Sequence, residues 1–185
     1  MRRLTQYHKA KLYLRTGGPV PTEIETQAVN FTINDVPISG YAAYPIKTGP
    51  YPPLIVIQEW WGLDAHIQDI TERLARVGFA VFAPDLYHGT VTSEPDEALK
   101  LAMSLEYDRA ATEIDAAGAW LCRQKYASST HFGIVGYCMG GGLALTTAIR
   151  NPAVQACAVY YGALPKPREL LQGISAPVLA FYGSD

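Results

Sequence analysis

The sequence has no apolar run near the roughly 20 residues that a bilayer-spanning helix needs, so a helical membrane protein is not expected. Neither charge sign is in surplus. Fifteen basic residues face 17 acidic ones, a formal net charge of −2, which gives no footprint for nucleic acid. Cysteine is sparse: Cys122, Cys138 and Cys157 are an odd, isolated three, with no secretory leader ahead of them. That argues against a disulfide framework and against a zinc site, and points to free thiols in the reducing cytoplasm. Histidine is limited to His8, His66, His88 and His131, which restricts the candidates for a general base. Internal repeats and low-complexity tracts are absent as well.

What is present is enough apolar material for one sizeable core, 49% of 185 residues. Residues 1–18 form a basic arm carrying Arg2, Arg3, Lys9, Lys11 and Arg15 with no acidic residue, closed by Gly17-Gly18-Pro19. Residues 19–185 then read as a single α/β domain. Glu23 to Pro45 fits an antiparallel hairpin turning at Asn34-Asp35, at the edge of a sheet. Leu54-Ile55-Val56-Ile57 is a continuous apolar run, the mark of a parallel strand covered on both faces. Asp64 can cap a helix that runs to about Val77 and stops at Gly78. Further strands are expected at Phe79–Ala83, His131–Val135, Ala156–Tyr161 and Pro177–Phe181. Helices are expected at Glu97–Leu105, at Tyr107–Lys125 and, after the glycine-rich turn, from Leu143. Strands alternating with helices predict a doubly wound, mostly parallel sheet. Ligands bind such sheets beyond the carboxyl ends of the strands, and Glu59-Trp60, Asp85-Tyr87, Cys138, Tyr161 and Asp185 all fall there.

The most informative stretch is Ile134-Val135-Gly136-Tyr137-Cys138-Met139-Gly140-Gly141-Gly142. An apolar strand meets a glycine-rich turn with one thiol at its tip, and a helical pattern starts at once. Gly-x-Cys-x-Gly between strand and helix is a nucleophile elbow with Cys in place of Ser. So sharp a turn strains the nucleophile's backbone and leaves no room for β-carbons two residues to either side. The thiol also sits at a helix N-terminus, a place whose partial positive charge suits an anion. The plainer alternative is a glycine-rich turn with an incidental Cys. A phosphate-binding loop is excluded, since no Lys-Ser/Thr follows the last glycine. If Cys138 attacks a carbonyl, an α/β-hydrolase mechanism calls for an acid, a base and an oxyanion hole. Asp185 follows the elbow in the order that fold requires of the acid, although a strand-end aspartate capping a turn would look the same. By topology the oxyanion donors are the backbone N–H of Met139 and that of Trp60. Trp61, Tyr87 and Tyr161 join Trp60 as candidate walls of an aromatic pocket.

Four segments together, Leu-Ile-Val-Ile-Gln-Glu-Trp-Trp-Gly-Leu (54–63), Ala-Pro-Asp-Leu-Tyr (83–87), Gly-Tyr-Cys-Met-Gly-Gly (136–141) and Gly-Ser-Asp (183–185), resemble the dienelactone hydrolases, carboxymethylenebutenolidases of the α/β-hydrolase fold. The resemblance runs from about residue 24 onward and leaves out the basic arm. It implies that Cys138 forms an acyl-thioester with an ester or lactone substrate, and that Asp185 orients a catalytic histidine. It also gives Glu59 a role, holding the resting thiol and then assisting its deprotonation. It implies a small-molecule substrate and no cofactor.

Two departures stand beside it. His88-Gly89-Thr90 follows Asp-Leu-Tyr where the family usually has an arginine for the substrate carboxylate, so a different ester or lactone is plausible. No histidine follows Asp185, which leads to the expectation of a chain lacking its last strand, histidine loop and helix. The alternatives are a broader carboxylesterase or thioesterase, and a binding protein that has lost the base.

Overall fold

The apolar runs assemble into one sheet in the computed structural model, which describes residues 23–33, 35–46 and 49–184. The basic arm, Asn34 and Asp185 lie outside the described residues. Among those described, the strands are β1 (Ile24–Ile33), β2 (Val36–Pro45), β3 (Pro53–Ile57), β4 (Ala80–Pro84), β5 (Phe132–Tyr137), β6 (Val154–Tyr160) and β7 (Val178–Phe181). Their order across the sheet is β1-β2-β4-β3-β5-β6-β7. β4, β3, β5, β6 and β7 pair in parallel, while β2 runs antiparallel to β4 and to β1. The expected hairpin is therefore the sheet's antiparallel edge, and Leu54–Ile57 is a central strand with a parallel neighbour on either side.

Helices α1 (Ala65–Arg76), α2 (Pro95–Ser104), α3 (Tyr107–Cys122) and α4 (Met139–Arg150) fill the connections. Side chains alternate across a strand. Val56, Val81, Ala83 and Val135 accordingly meet Ile67 and Ile70 of α1 on one face. Ile55, Ile57, Phe82 and Ile134 meet Ile114 and Leu121 of α3 and Leu143 of α4 on the other. Both faces of β3 are dry, which explains why its sequence is apolar without alternation. Ile55, Ile57 and Phe82 are fully buried, and each such side chain contributes about 1.5–3 kcal/mol of apolar burial. Phe31 stacks on Trp120 at 4.7 Å and Tyr44 on Tyr126 at 3.8 Å, which fastens the hairpin to the α3 side.

The Asp64 carboxylate accepts from the Ile67 N–H at 2.9 Å, the expected cap, and Gly78 ends that region at φ 102°. Several boundaries differ from expectation. β5 runs two residues past Val135, to Tyr137, and α4 opens at Met139 rather than Leu143. α2 starts at Pro95, because proline suits a first helical position whose N–H would be unpaired anyway. α3 stops at Cys122, after which the N–H groups of Arg123 and Gln124 bond back only three residues, to Trp120 and Leu121. β6 starts two residues early and stops at Tyr160, since Tyr161 has left-handed backbone, φ 44°. A 3-10 turn over Arg168–Gly173 was not foreseen; its polar residues carry no strand or helix period. β7 is an edge strand among the described residues, with all four of its residues exposed. No helix of the described residues is long and apolar enough to cross a membrane.

Candidate active site

Cys138 is the single residue between β5 and α4, with φ 53° and ψ −116°. A non-glycine residue held there costs of the order of 1–3 kcal/mol and persists only when its surroundings enforce it. They do. The Cys138 N–H donates to the Tyr160 carbonyl at 2.9 Å, and the Cys138 carbonyl accepts from the N–H of Gly141 at 3.0 Å. The glycines are steric requirements. A β-carbon on Gly136 would stand 2.0 Å from the Gly140 carbonyl oxygen, and one on Gly140 would stand 2.4 Å from the Gln58 carbonyl oxygen. The first turn of α4 thus rests directly on the ends of β5 and β3. The elbow geometry expected from the sequence is present, and Cys138 is half-buried.

That close approach brings the loop after β3 to the thiol's neighbourhood. Met139 opens α4, so its N–H has no carbonyl within the helix to bond. Trp60 follows two residues after Gln58, whose carbonyl abuts Gly140. Met139 and Trp60 therefore stand on adjoining backbone at the same end of the sheet. Trp60 and Trp61 meet edge to face at 4.9 Å, and the Trp61 carbonyl accepts from the Thr92 N–H at 3.0 Å.

Two tyrosines flank the elbow. The buried Tyr87 donates its hydroxyl to the Met139 Sδ at 3.3 Å. Burial, followed by the negative charges that Tyr107 and Cys138 would carry, pushes its phenol up to about 12. Tyr161 donates to Glu59 Oε1 at 2.9 Å across 102 residues of sequence. Its phenol is also pushed up to about 12, first by desolvation, then by the Glu59 hydrogen bond and charge, and further by Cys138. The structure therefore gathers Cys138, Met139, Glu59, Trp60, Trp61, Tyr87 and Tyr161 at the carboxyl ends of β3 to β6. Asp185, expected to close the β7 segment, lies outside the described residues.

Two contributors were missed by the sequence reading. Gln58 is fully buried, and its Oε1 accepts from the Leu86 N–H at 3.2 Å, tying the end of β3 to the end of β4. The signal was there: a polar residue closing an otherwise apolar strand. Arg109 brings a guanidinium to the loop after β4 from α3, its terminal nitrogen 3.4 Å from His88 Nε2. It is not free, because its Nε donates to the buried Glu113 at 2.9 Å. His88 also lies 3.4 Å from Glu113, an arrangement that engages it with α3. His66 lies in the first turn of α1, and His131 precedes β5 at the far end of that strand. Cys122 and Cys157 are pushed up to about 11 by burial, consistent with their reading as inert core thiols. A cavity of about 490 Å³ lies off the elbow, lined by Asp35, Val36, Pro37, Asp108, Arg109, Thr112 and Glu113. The chemistry-bearing residues are around Cys138, so cavity size is not the guide to the site here.

The model of the dienelactone hydrolase family matches residues 38–185. Among curated relatives, a protein of Methylorubrum extorquens, provisionally named a carboxymethylenebutenolidase, is 32% identical over 169 residues, covering 84% of this chain and 58% of its own length. Protein usf of Aquifex pyrophilus is 35% identical over 160 residues, covering 82% of this chain and 68% of its own length. The chain therefore spans between about three fifths and two thirds of the length of these relatives. Among solved structures, the dienelactone hydrolase-like promiscuous phosphotriesterase P91 from metagenomic libraries superposes with a TM-score of 0.77 at 25% identity, covering 88% of this chain and 70% of that one. A protein of Klebsiella pneumoniae, provisionally titled a dienelactone hydrolase, gives 0.76 at 28% identity, covering 85% and 71%. With its fold shared by these structures and most of its length matched by the family model, the chain belongs to the dienelactone hydrolase family.

Proposed function

We propose that this chain carries the nucleophile and oxyanion-binding groups of a hydrolase acting on a small ester or lactone. The observation that carries the reading is Cys138 alone at the strand-to-helix junction, held at φ 53° by hydrogen bonds to its own N–H and carbonyl. In this mechanism the Cys138 thiolate adds to the substrate carbonyl and forms a tetrahedral oxyanion. The N–H groups of Met139 and Trp60 receive that charge. Collapse breaks the bond to the alkoxide, which leaves with a proton, and an acyl-thioester remains on Sγ. Water then adds to the thioester, releasing the carboxylic acid and the thiol. Asp185 orients the histidine base; we assign no base within the described residues. Trp60, Trp61 and Tyr87 form the walls that hold the acyl group.

The reading is tested with an activated ester such as p-nitrophenyl acetate and the variants Cys138→Ala and Cys138→Ser. Both should lose turnover by at least about a hundredfold, the scale on which a catalytic nucleophile acts. If Cys138→Ala hydrolyses the ester at the parent rate, the mechanism is wrong. A binding protein on the same scaffold predicts instead that iodoacetamide labels Cys138 no faster than Cys122 or Cys157.

A further inference from the structure

Tyr161 is an oddity that a pocket wall does not explain. By strand alternation it should continue β6, yet it turns out of the strand with left-handed backbone, φ 44°, while about half exposed. Three contacts enforce that turn. The Tyr161 N–H donates to the Phe181 carbonyl at 2.8 Å, and the Tyr182 hydroxyl donates to the Gly162 carbonyl at 2.8 Å. Gly162 also packs so tightly on α4 that a β-carbon on it would stand 2.4 Å from the Gly141 carbonyl carbon. Meanwhile Tyr160 stays on the sheet face, stacked between Tyr137 and Phe181 at 4.8 and 4.6 Å. The turn thus separates Tyr161 from this aromatic row and delivers its hydroxyl to the Glu59 carboxylate at 2.9 Å. Such an over-determined outlier at the mouth of a site calls for a role.

We infer that Tyr161 is the positioning residue for Glu59, holding its carboxylate off the Cys138 thiol so that the thiol can be ionised. The inference rests on the hydrolase reading above. Glu59 accepts from the Tyr161 O–H, and the Tyr161 phenol stands within electrostatic range of both Glu59 and Cys138. While the phenol holds the carboxylate, its O–H dipole offsets part of the Glu59 charge. Without it, Glu59 is free to accept the thiol proton's hydrogen bond, which favours the neutral thiol. Tyr161 acts on the reaction through Glu59, and its own contact with substrate is incidental.

The test uses the protein with Tyr161→Phe, Glu59→Gln and the double variant. Iodoacetamide labelling is located by peptide mass at pH 7, and ester turnover is split into kcat and KM. Tyr161→Phe should slow Cys138 alkylation about three- to tenfold, the effect of roughly half to one pKa unit on a thiol. It should lower kcat by a similar factor with KM little changed. In the Glu59→Gln background the same substitution should do nothing further. A pocket-wall role would raise KM and leave alkylation alone, and that result overturns the inference. So does an alkylation loss that persists at full size in the Glu59→Gln background. Wild-type protein in which Cys138 labels no faster than Cys122 and Cys157 overturns both this inference and the nucleophile reading. Rapid Cys138 labelling that Tyr161→Phe leaves unchanged overturns this inference alone.

Discussion

Gly136→Ala is the perturbation that most directly probes how the elbow is built. The added β-carbon would lie 2.0 Å from the Gly140 carbonyl oxygen and 2.4 Å from its carbonyl carbon. Those are backbone atoms in the first turn of α4, and α4 is itself seated against β3 through Gly140, so no side chain can swing aside. Overpacking a core costs about 1–3 kcal/mol, and a clash with fixed backbone belongs at the top of that range. Replacing glycine by alanine returns about 0.4–1 kcal/mol by restricting the unfolded chain. The net loss is therefore about 2 kcal/mol, or about 4–8 °C in melting temperature for a chain of this size. Gly133→Ala, on the same strand, is the control: its nearest contact is Leu54 Cδ1 at 3.1 Å, the mobile end of a side chain. That variant should melt within about 2 °C of the parent. Thermal unfolding by circular dichroism, with Cys138 labelling in parallel, reads both effects. Gly136→Ala should also slow labelling, because lifting α4 off β5 moves the thiol. Equal melting temperatures for the two variants would refute the steric account of the elbow.

Two further outcomes follow from the structure. Gln58→Met removes a buried acceptor from the Leu86 N–H but also removes the Gln58 Nε2, a buried donor with no partner among the described residues. Each loss is worth about 1–3 kcal/mol with opposite sign, so denaturant midpoints should change by less than about 1 kcal/mol while ester turnover falls as the β3 and β4 loops lose their link; a large destabilisation with intact turnover would contradict this. At alkaline pH, Cys122 and Cys157 have folded values of about 11, raised from 9.0 by burial. Their contribution to stability is complete below pH 9 and is lost as pH rises through about 11, so the urea midpoint should fall between pH 9 and 11, and a flat profile would contradict the burial argument.

Much of the fold was legible because its causes are local. The β3 run is apolar at every position because both faces are covered, and the Asp64 cap and Gly78 stop write the limits of α1 into the sequence. The elbow was legible for the same reason, since Gly136 and Gly140 can be nothing larger. What was not legible are contacts whose partners are far apart in the chain. Gln58 and Leu86 are 28 residues apart, Tyr87 and Met139 are 52, and Tyr161 and Glu59 are 102. No period or spacing announces such pairs; only the order of strands in the sheet makes them neighbours. The left-handed turn at Tyr161 was hidden for a further reason. Tyr is a strong strand former, so propensity argued for continuing β6 until tertiary contacts overrode it.

Strand register is what converts these separate signals into one site. Ile57 pairs with Gly136, Tyr137 with Tyr160, and Tyr160 with Phe181, so β3, β5, β6 and β7 reach their carboxyl ends nearly in line. The residues one or two positions past those ends are Glu59, Cys138, Tyr161 and Tyr182. A slip of one residue in any pairing would send the core side chains of that strand to the wrong face, so burial itself enforces the alignment. The site thus inherits its precision from the core. Ile57 and Ile134 hold β3 and β5 in register from one face, and Val56 and Val135 do so from the other. Glycine at 136 and 140 then lets α4 close on both strands, setting Cys138 beside the loop that carries Glu59. Loss of either glycine should therefore disturb the thiol before it unfolds the sheet, because the register has its own support on both faces.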